Sequence, residues 1–175
     1  MKNLIKDSRG YSLLELMITL GIFGVVVALA FPGFQGMITG QRLKTQTNDT
    51  LAAILMAKSE AIKRRSSITL CAMKTGIDNQ CGTSGIEWSN GWIIFDDLNA
   101  DGIINSGEEI LKSKGDYDEL TSKSTISAIT LDEQGAANTS VDIEFCYSEA
   151  KGNKARLLAM AAIGSPSVTS KPNCS

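Results

Sequence analysis

The chain has 175 residues and a formal net charge of −2, from 17 basic and 19 acidic side chains. It contains no histidine, which excludes serine–histidine and cysteine–histidine nucleophiles and the usual histidine-containing zinc sites. An acidic chain is also a poor non-specific binder of nucleic acid or anionic lipid. Because the sequence has neither a paired-carboxylate nor a nucleophile signature, we expect a protein that is not an enzyme.

The N-terminus combines a short basic leader with a long apolar segment. Residues 1–10 contain Lys2, Lys6 and Arg9 against one acidic residue, so the rest of the chain has a net charge of −4, compared with −2 for the whole. A helix of about 20 residues, at about 1.5 Å per residue, covers a hydrocarbon core of ~30 Å. We therefore predict a membrane-spanning helix over residues 11–32. By the positive-inside rule, its N-terminus is cytoplasmic and the following domain lies outside.

One carboxylate, Glu15, interrupts this apolar segment. A carboxylate in such a segment costs about 2–3 kcal/mol to insert and therefore needs a partner. A secretory signal peptide, cleaved near residues 28–30, is one alternative interpretation. An uncleaved anchor with an incidental Glu15 is another. A glutamate five residues after a glycine is unusual for a plain apolar signal region, which disfavours the signal peptide.

The chain beyond Pro32 is predicted to continue as an amphipathic helix over residues 33–66. Pro32 removes a helical hydrogen bond, so we expect a kink there. The helical period predicts an apolar stripe and an opposite, more polar face. The stripe consists of Leu51, Ile54, Leu55, Ala61 and Ile62, and the opposite face of Asn48, Asp49, Ala53 and Glu60.

Residues 67–175 are predicted to form a β-rich domain. The strongest strand pattern is at residues 91–95, and residues 141–147 alternate between apolar and acidic side chains. Further strands are predicted at residues 67–71, 109–113, 124–131 and 156–162. The resulting expectation is an α+β fold in which one antiparallel sheet covers the upper half of the helix.

The four cysteines lie in this exported part, at Cys71, Cys81, Cys146 and Cys174. An even number in an oxidising compartment indicates two disulfides. Three pairings are possible, and the sequence-local pairs Cys71–Cys81 and Cys146–Cys174 are favoured. A four-cysteine zinc site is disfavoured because no Cys-x-x-Cys spacing occurs. Since Cys146 falls on the polar face of its strand, we expect the C-terminal tail to cross the outside of the sheet.

A polar turn after residues 91–95 matches the spacing of an EF-hand calcium loop. Oxygen-bearing side chains occupy loop positions one, three, five, nine and twelve, and a glycine occupies position six. The five candidate ligands are Asp97, Asn99, Asp101, Asn105 and Glu108. The flanks are predicted strands, however, and Asp, Asn and Gly are preferred in any hairpin turn. A bare turn is favoured over a calcium site, and we predict no other cofactor.

Residues 10–17 read Gly-Tyr-Ser-Leu-Leu-Glu-Leu-Met, which resembles the prepilin peptidase site of type IV pilins and type II secretion pseudopilins. The resemblance implies cleavage after Gly10 and N-methylation of Tyr11, where most relatives have phenylalanine. It also implies that Glu15 pairs with the N-terminal amine of a neighbouring subunit. A carboxylate and an ammonium group in lipid reduce each other's desolvation cost.

Residues 59–64, the pair Leu70-Cys71 and the run Gly-Trp-Ile-Ile-Phe-Asp at residues 91–96 resemble the GspH/FimT branch of minor pilins and minor pseudopilins. The resemblance implies a type IV pilin-like fold, in which a long kinked N-terminal helix packs against an antiparallel C-terminal sheet. The implied function is that of a minor pilin that helps to initiate a type IV pilus or enters its tip. A type II secretion pseudopilin is the alternative.

The same resemblance implies partners and a location. The partners are prepilin peptidase, the inner-membrane assembly platform, and other major and minor pilins or pseudopilins. The precursor is expected in the inner membrane with its ectodomain in the periplasm, and the mature chain in a pilus or pseudopilus. Some relatives bind DNA through a Gly-Arg-x-Arg run. The comparable residues 164–167 here read Gly-Ser-Pro-Ser, which disfavours DNA binding.

Overall fold

The computed structural model describes residues 11–77, 79–83, 88–115, 117, 120–147 and 154–174, and for residues 30–37 and 39 it describes the backbone alone. The chain divides into two compact units, Met1–Met37 and Ile38–Ser175. The predicted leader at residues 1–10, including Gly10, lies outside the described residues.

The first unit contains the beginning of helix α1, which is assigned over Leu13–Arg64. Every described side chain from residue 11 to residue 29 is exposed. Among the described residues, no helix combines the length and the hydropathy that a membrane span requires. The predicted span over residues 11–32 includes residues 30–32, whose side chains are outside the description, and the kink at Pro32 stays a prediction.

The described part of the second unit contains the rest of α1, a short 3-10 helix at Trp88–Asn90 and eight strands. Helix α1 ends where Arg65 takes a positive φ of 55° and its amide donates to the Ala61 carbonyl, 2.9 Å away. The strands are β1 (Ile68–Ala72), β2 (Trp92–Asp96), β3 (Ile110–Lys114), β4 (Leu120–Ser124), β5 (Ala128–Leu131), β6 (Val141–Tyr147), β7 (Ala155–Met160) and β8 (Ser167–Lys171).

The strands form two four-stranded antiparallel sheets, where the sequence analysis expected one sheet. The first sheet has the order β3-β2-β1-β5 and the second has the order β4-β6-β7-β8. The single strand expected at residues 124–131 is wrong, because β4 and β5 belong to different sheets. Between them the chain bends at Ile126, whose amide donates to Ser124 Oγ and whose carbonyl accepts from Trp88 Nε1.

Strand β8 was not predicted. Its sequence, Ser-Val-Thr-Ser-Lys, has one apolar side chain, so it lacks the alternation that marks a half-buried strand. Strand β8 is formed by its pairing with β7, at the edge of the second sheet, and not by a local apolar pattern. The polar composition suits an edge strand, of which one side faces solvent.

The main core lies between α1 and both sheets. The helix contributes Leu43, Ala53, Ile54, Ala57 and Ala61, and the sheets contribute the large side chains. The predicted apolar stripe is therefore partly wrong, because Leu55 and Ile62 are 48% and 51% exposed whereas Ala53 is buried. The buried face is rotated from the predicted one because small side chains let the sheets approach the helix closely.

A smaller apolar cluster lies on the other face of the first sheet. It consists of Cys71, Met73, Ile93 and Phe95, and Ile104 from the polar turn packs against it. Strand β1 is consequently buried at all five positions. Burial on both faces explains why β1 and β2 are nearly continuous apolar runs rather than alternating ones.

Candidate functional site

The first candidate site is the start of α1. Tyr11 is 85% exposed, and Glu15 is exposed in the first helical turn. Glu15 lies three residues after Ser12, which is the spacing of a capping box. The positive end of the helix dipole also favours a carboxylate in this turn. Glu15 therefore has a local explanation besides its predicted pairing with an amine, and an experiment has to separate the two.

The second candidate feature is the pair of disulfides. The structure joins Cys71 to Cys81 and Cys146 to Cys174, with Cα–Cα distances of 5.5 and 5.8 Å, which is the pairing favoured from the sequence. The first disulfide holds a surface loop against β1. The second closes a loop with a sequence separation of 28, for which loop entropy gives a stabilisation of about 3–4 kcal/mol.

The C-terminal tail differs from its expected course. It was predicted to cross the outside of the sheet, but most of it forms β8 at the sheet edge, and only residues 172–174 lead from β8 back to Cys146 on β6. Lys171 Nζ donates to the buried carboxylate of Glu144 across 2.8 Å. One ligand atom each from Glu144, Cys146 and Cys174 lies within 4.8 Å of the others. Because both sulfurs are in the disulfide, no thiolate is left there to bind a metal.

The third candidate site is the polar turn between β2 and β3, which begins at Asp97. This carboxylate is fully buried. Asp97 Oδ1 accepts from the Asp101 amide at 3.1 Å, and Oδ2 accepts from the Gly102 amide at 2.9 Å. Thr69 Oγ1 on β1 donates to Oδ2 at 2.6 Å and is itself 2.7 Å from Thr130 Oγ1 on β5. Gly102 has a φ of +77°, which favours glycine at this position.

Asp101 organises the exposed part of the turn. Asn105 Nδ2 and Asn99 Nδ2 donate to its Oδ2 at 3.0 and 2.8 Å, and the Ile103 amide donates to its Oδ1 at 2.8 Å. The Asn105 bond is the main cause that lowers the pKa of Asp101, followed by the Ile103 amide. A lowered pKa means that this carboxylate contributes stability above the ordinary aspartate pKa of about 3.9, and that the contribution is lost as the pH falls.

Glu108 closes the turn. Its two carboxylate oxygens accept from the Leu98 amide at 3.1 Å and the Asn105 amide at 2.8 Å. Within the described turn, the carboxylates of Asp97, Asp101 and Glu108 do not bring three ligand oxygens within 4.8 Å of one another. The five predicted ligands are thus close in one turn, and the side-chain oxygens of four of them, Asp97, Asn99, Asp101 and Glu108, accept from donors of the protein itself. The threonines on β1 and β5 were missed, since no local spacing links them to Asp97.

An exposed ion-pair group joins the end of α1 to both ends of the turn. Arg64 contacts Glu60 at 2.9 Å, Glu109 at 2.8 Å and Asp96 at 3.7 Å. Hydrogen bonding to Glu60 and then to Glu109 raises the pKa of Arg64, and bonding to Arg64 and then to Lys63 lowers the pKa of Glu60. Exposed ion pairs contribute little stability. Their geometric effect here is to connect the helix end to the turn.

A groove of about 640 Å³ lies between the Cys71–Cys81 loop and the polar turn. Its described lining is mostly uncharged and polar, with Lys74 and Asp101 as the charged members and Ala128 and Thr130 contributed by β5. This lining contains no nucleophile with an adjacent base, so it has no arrangement for nucleophilic catalysis.

Comparison with known protein families agrees with this description. Residues 46–164 match the family described as type II transport protein GspH. Residues 5–31 match the prokaryotic N-terminal methylation motif, a segment that includes Gly10, Tyr11 and Glu15. The methylation-motif match covers the beginning of α1, and the family match covers the end of the helix from residue 46 and most of the strands.

Matches to individual proteins agree with the matches to families. The chain is 35% identical over 103 residues to the pilin-like protein PilA1 of Thermus thermophilus, and the match covers 58% of this chain and 56% of that relative's length. Two crystal structures of the type IV minor pilin FimU of Pseudomonas aeruginosa share the fold. Their TM-scores are 0.56 and 0.54 at 20% and 21% identity, covering 77% and 76% of this chain and 96% and 100% of the FimU chains. The expected pilin-like α+β fold is confirmed.

Proposed function

The chain belongs to the type II transport protein GspH family, and we propose that it is a minor pilin that enters a type IV pilus. In this proposal prepilin peptidase cleaves after Gly10, Tyr11 becomes the N-methylated N-terminus, and the subunit acts at the pilus tip or in its priming complex. The methylation-motif match over residues 5–31 supports the processing step. The likeness to a pilin-like protein and to a minor pilin supports the pilus assignment.

One observation carries the proposal: the start of α1 is apolar, exposed and contains a single carboxylate. Its exposed large side chains run from Tyr11 to Leu29, with Glu15 among them. An apolar surface of this extent has to be covered by lipid or by other protein. In the proposal the inner membrane covers it before assembly, with the ectodomain in the periplasm, and neighbouring helices cover it afterwards.

The proposed mechanism is assembly without chemistry. The inner-membrane platform presents the subunit, helices of major and minor pilins bundle with it, and Glu15 meets the N-terminal amine of a neighbour. In a low-dielectric bundle each of these charges offsets the desolvation cost of the other. The ectodomain supplies the surface by which this subunit is distinguished from its neighbours.

A second candidate function is that of a type II secretion pseudopilin. The description of the matching family, a type II transport protein, favours it. A pseudopilin uses the same processing and the same helix packing, so the two candidates differ in the assembly that receives the subunit.

The test measures the amount of tagged full-length chain in membranes and in sheared surface filaments. A secretion assay is carried out alongside. We expect wild-type chain in the filament fraction, and Gly10→Ala to leave unprocessed precursor in the membrane and none in filaments. A mature-sized band for Gly10→Ala would contradict the cleavage site. Normal filaments together with lost secretion of folded proteins, in a strain without the chain, would favour the pseudopilin.

A further inference from the structure

The Cys146–Cys174 disulfide lies beside a buried carboxylate, that of Glu144, and the proposed function does not use this group. One ligand atom from each of the three residues lies within 4.8 Å of the others, and Glu144 is 6% exposed. Among the described residues, no other three acidic or cysteine side chains come so close together. The other disulfide differs, because Cys71 is buried in an apolar cluster against which Cys81 packs.

The fold holds these three side chains together by contacts other than the disulfide. Glu144 and Cys146 are two residues apart on β6, so they share one face of the sheet. Strand β8 pairs with β7 along Ser167–Lys171, which ends three residues before Cys174. Lys171 Nζ then donates to Glu144 Oε2 at 2.8 Å. Because these contacts do not involve the sulfur–sulfur bond, we expect the two thiols to lie side by side in the folded chain before the disulfide forms.

The two carboxylate oxygens of Glu144 face different partners. Oε1 lies 3.7 Å from Cys146 Sγ, whereas Oε2 accepts from Lys171 Nζ. A carboxylate that binds a metal ion is commonly held by a hydrogen bond as well. The charges also suit a divalent cation, because two thiolates and one carboxylate exceed its charge by one unit, which the Lys171 ammonium offsets. A neutral group of this kind costs less to bury than an unbalanced one.

The types of ligand select the metal. Thiolates are soft ligands that favour Zn²⁺ or Cu⁺ over Mg²⁺ and Ca²⁺, and a carboxylate oxygen is a usual ligand of Zn²⁺. Three protein ligands leave the fourth position of a tetrahedral Zn²⁺ to water. Cys174 is half-buried, so this side of the group is open to solvent. We propose that the dithiol form of the chain binds Zn²⁺ through Glu144, Cys146 and Cys174, and that formation of the disulfide expels the ion.

Binding and release of the ion are both balanced steps. Zn²⁺ displaces the two thiol protons, which pass to solvent. A disulfide oxidant then joins the two sulfurs by thiol–disulfide exchange. The oxidant accepts two electrons and takes up two protons to leave as its own dithiol, and Zn²⁺ returns to solution. No reductant is required, because a newly made chain carries free thiols. The site is independent of whether the chain serves a pilus or a pseudopilus, and it exists only before oxidation.

The first experiment titrates Zn²⁺ into the full-length chain in detergent, either oxidised or reduced by a phosphine, which becomes a phosphine oxide. We expect about one equivalent of Zn²⁺ to bind the reduced chain and none to bind the oxidised chain. Cys174→Ser should abolish binding. Cys81→Ser removes a half-buried cysteine from the other disulfide, and as the matched control it should bind like the reduced wild type. No binding to the reduced chain, equal binding to the oxidised chain, or equal loss in both variants would overturn the proposal.

The second experiment tests the carboxylate with Co²⁺ in place of Zn²⁺, because each thiolate–cobalt bond contributes to a near-ultraviolet absorption band. Glu144→Gln should keep the full band at saturation but weaken the affinity for Co²⁺ about tenfold or more, since a neutral amide replaces an anionic ligand. The matched control is Asp142→Asn, on the same face of β6 and exposed, which should bind like wild type. Unchanged affinity in Glu144→Gln, or the same weakening in Asp142→Asn, would refute this set of ligands.

Discussion

At the scale of single residues, the buried carboxylate of Asp97 depends on three donors from two parts of the domain. Two backbone amides of its own turn and the hydroxyl of Thr69 on β1 donate to it. Because Thr69 donates to Asp97, the Thr130 hydroxyl has to be the donor in the contact between the two threonines. This short chain of hydrogen bonds connects the polar turn to the centre of the first sheet.

We expect Thr69→Val to lower the free energy of unfolding by about 1–3 kcal/mol, because it leaves a buried carboxylate with one donor fewer. Urea denaturation of a fragment spanning residues 38–175 measures this change. Thr50→Val is the matched control, since Thr50 is also fully buried but donates only to a helix carbonyl, that of Gln46. The control should cost about 1 kcal/mol or less, and equal losses would contradict the role given to Asp97.

At the scale of elements, the polar turn is expected to fold without an ion. The Asp97 and Glu108 oxygens already accept backbone amides of the turn, and Asp101 accepts two side-chain amides. We therefore predict that about 1 mM calcium, the range in which extracellular modules bind it, leaves the melting temperature of the 38–175 fragment unchanged relative to EDTA. A calcium-dependent rise that Asp101→Asn abolishes would establish a calcium site instead.

Helix α1 provides a second test at this scale, because it has one alanine on its buried side and one on an exposed side. Ala57 is fully buried against the sheets, whereas Ala52 is exposed on another side of the helix. Ala57→Leu should destabilise the 38–175 fragment by about 1–3 kcal/mol through overpacking, and Ala52→Leu should change its stability by less than about 0.5 kcal/mol. Thermal unfolding of both variants checks this. A reversed order would mean that the helix is rotated from the face described.

Helix α1 and the strands show which elements could be predicted from the sequence and which could not. The strands with strong apolar patterns, β1, β2 and β6, lie within about one residue of their predicted ranges. The buried helix face was misplaced because hydropathy ranks leucine and isoleucine above alanine, while close packing of a sheet on a helix selects small side chains. Strand β8 and the break between β4 and β5 depend on pairing and on long-range hydrogen bonds, which a local pattern does not contain.

At the scale of the whole molecule, the two units differ in whether their apolar side chains are buried or exposed to water. In the second unit the large apolar side chains are mostly buried in a core between α1 and two sheets. In the first unit every described side chain from residue 11 to residue 29 is exposed, and most of them are apolar. A folded domain joined to an uncovered apolar helix is an incomplete structure by itself. The methylation motif over residues 5–31 could be recognised from the sequence because it consists of neighbouring residues.

The role of Glu15 can be tested by two substitutions. Pairing with a neighbour's amine and capping of the helix with Ser12 predict different results for them. If Glu15 pairs with a neighbour's amine, both Glu15→Ala and Glu15→Gln remove the charge. Both should then be processed normally yet reduce incorporation into the assembly, since leaving a buried charge unpaired costs about 3–5 kcal/mol, or more than about 100-fold. If Glu15 only caps the helix with Ser12, glutamine preserves the capping-box hydrogen bond and Glu15→Gln should assemble like wild type.

Quantitative immunoblotting of membrane and filament fractions measures the outcome. Glu133→Gln, at an exposed position between β5 and β6, provides the control for loss of one carboxylate elsewhere. Wild-type incorporation of Glu15→Gln would assign Glu15 to helix capping. Loss of incorporation in both Glu15 variants, with processing and the Glu133 control intact, would mean that the carboxylate charge itself is required in the assembled helix bundle.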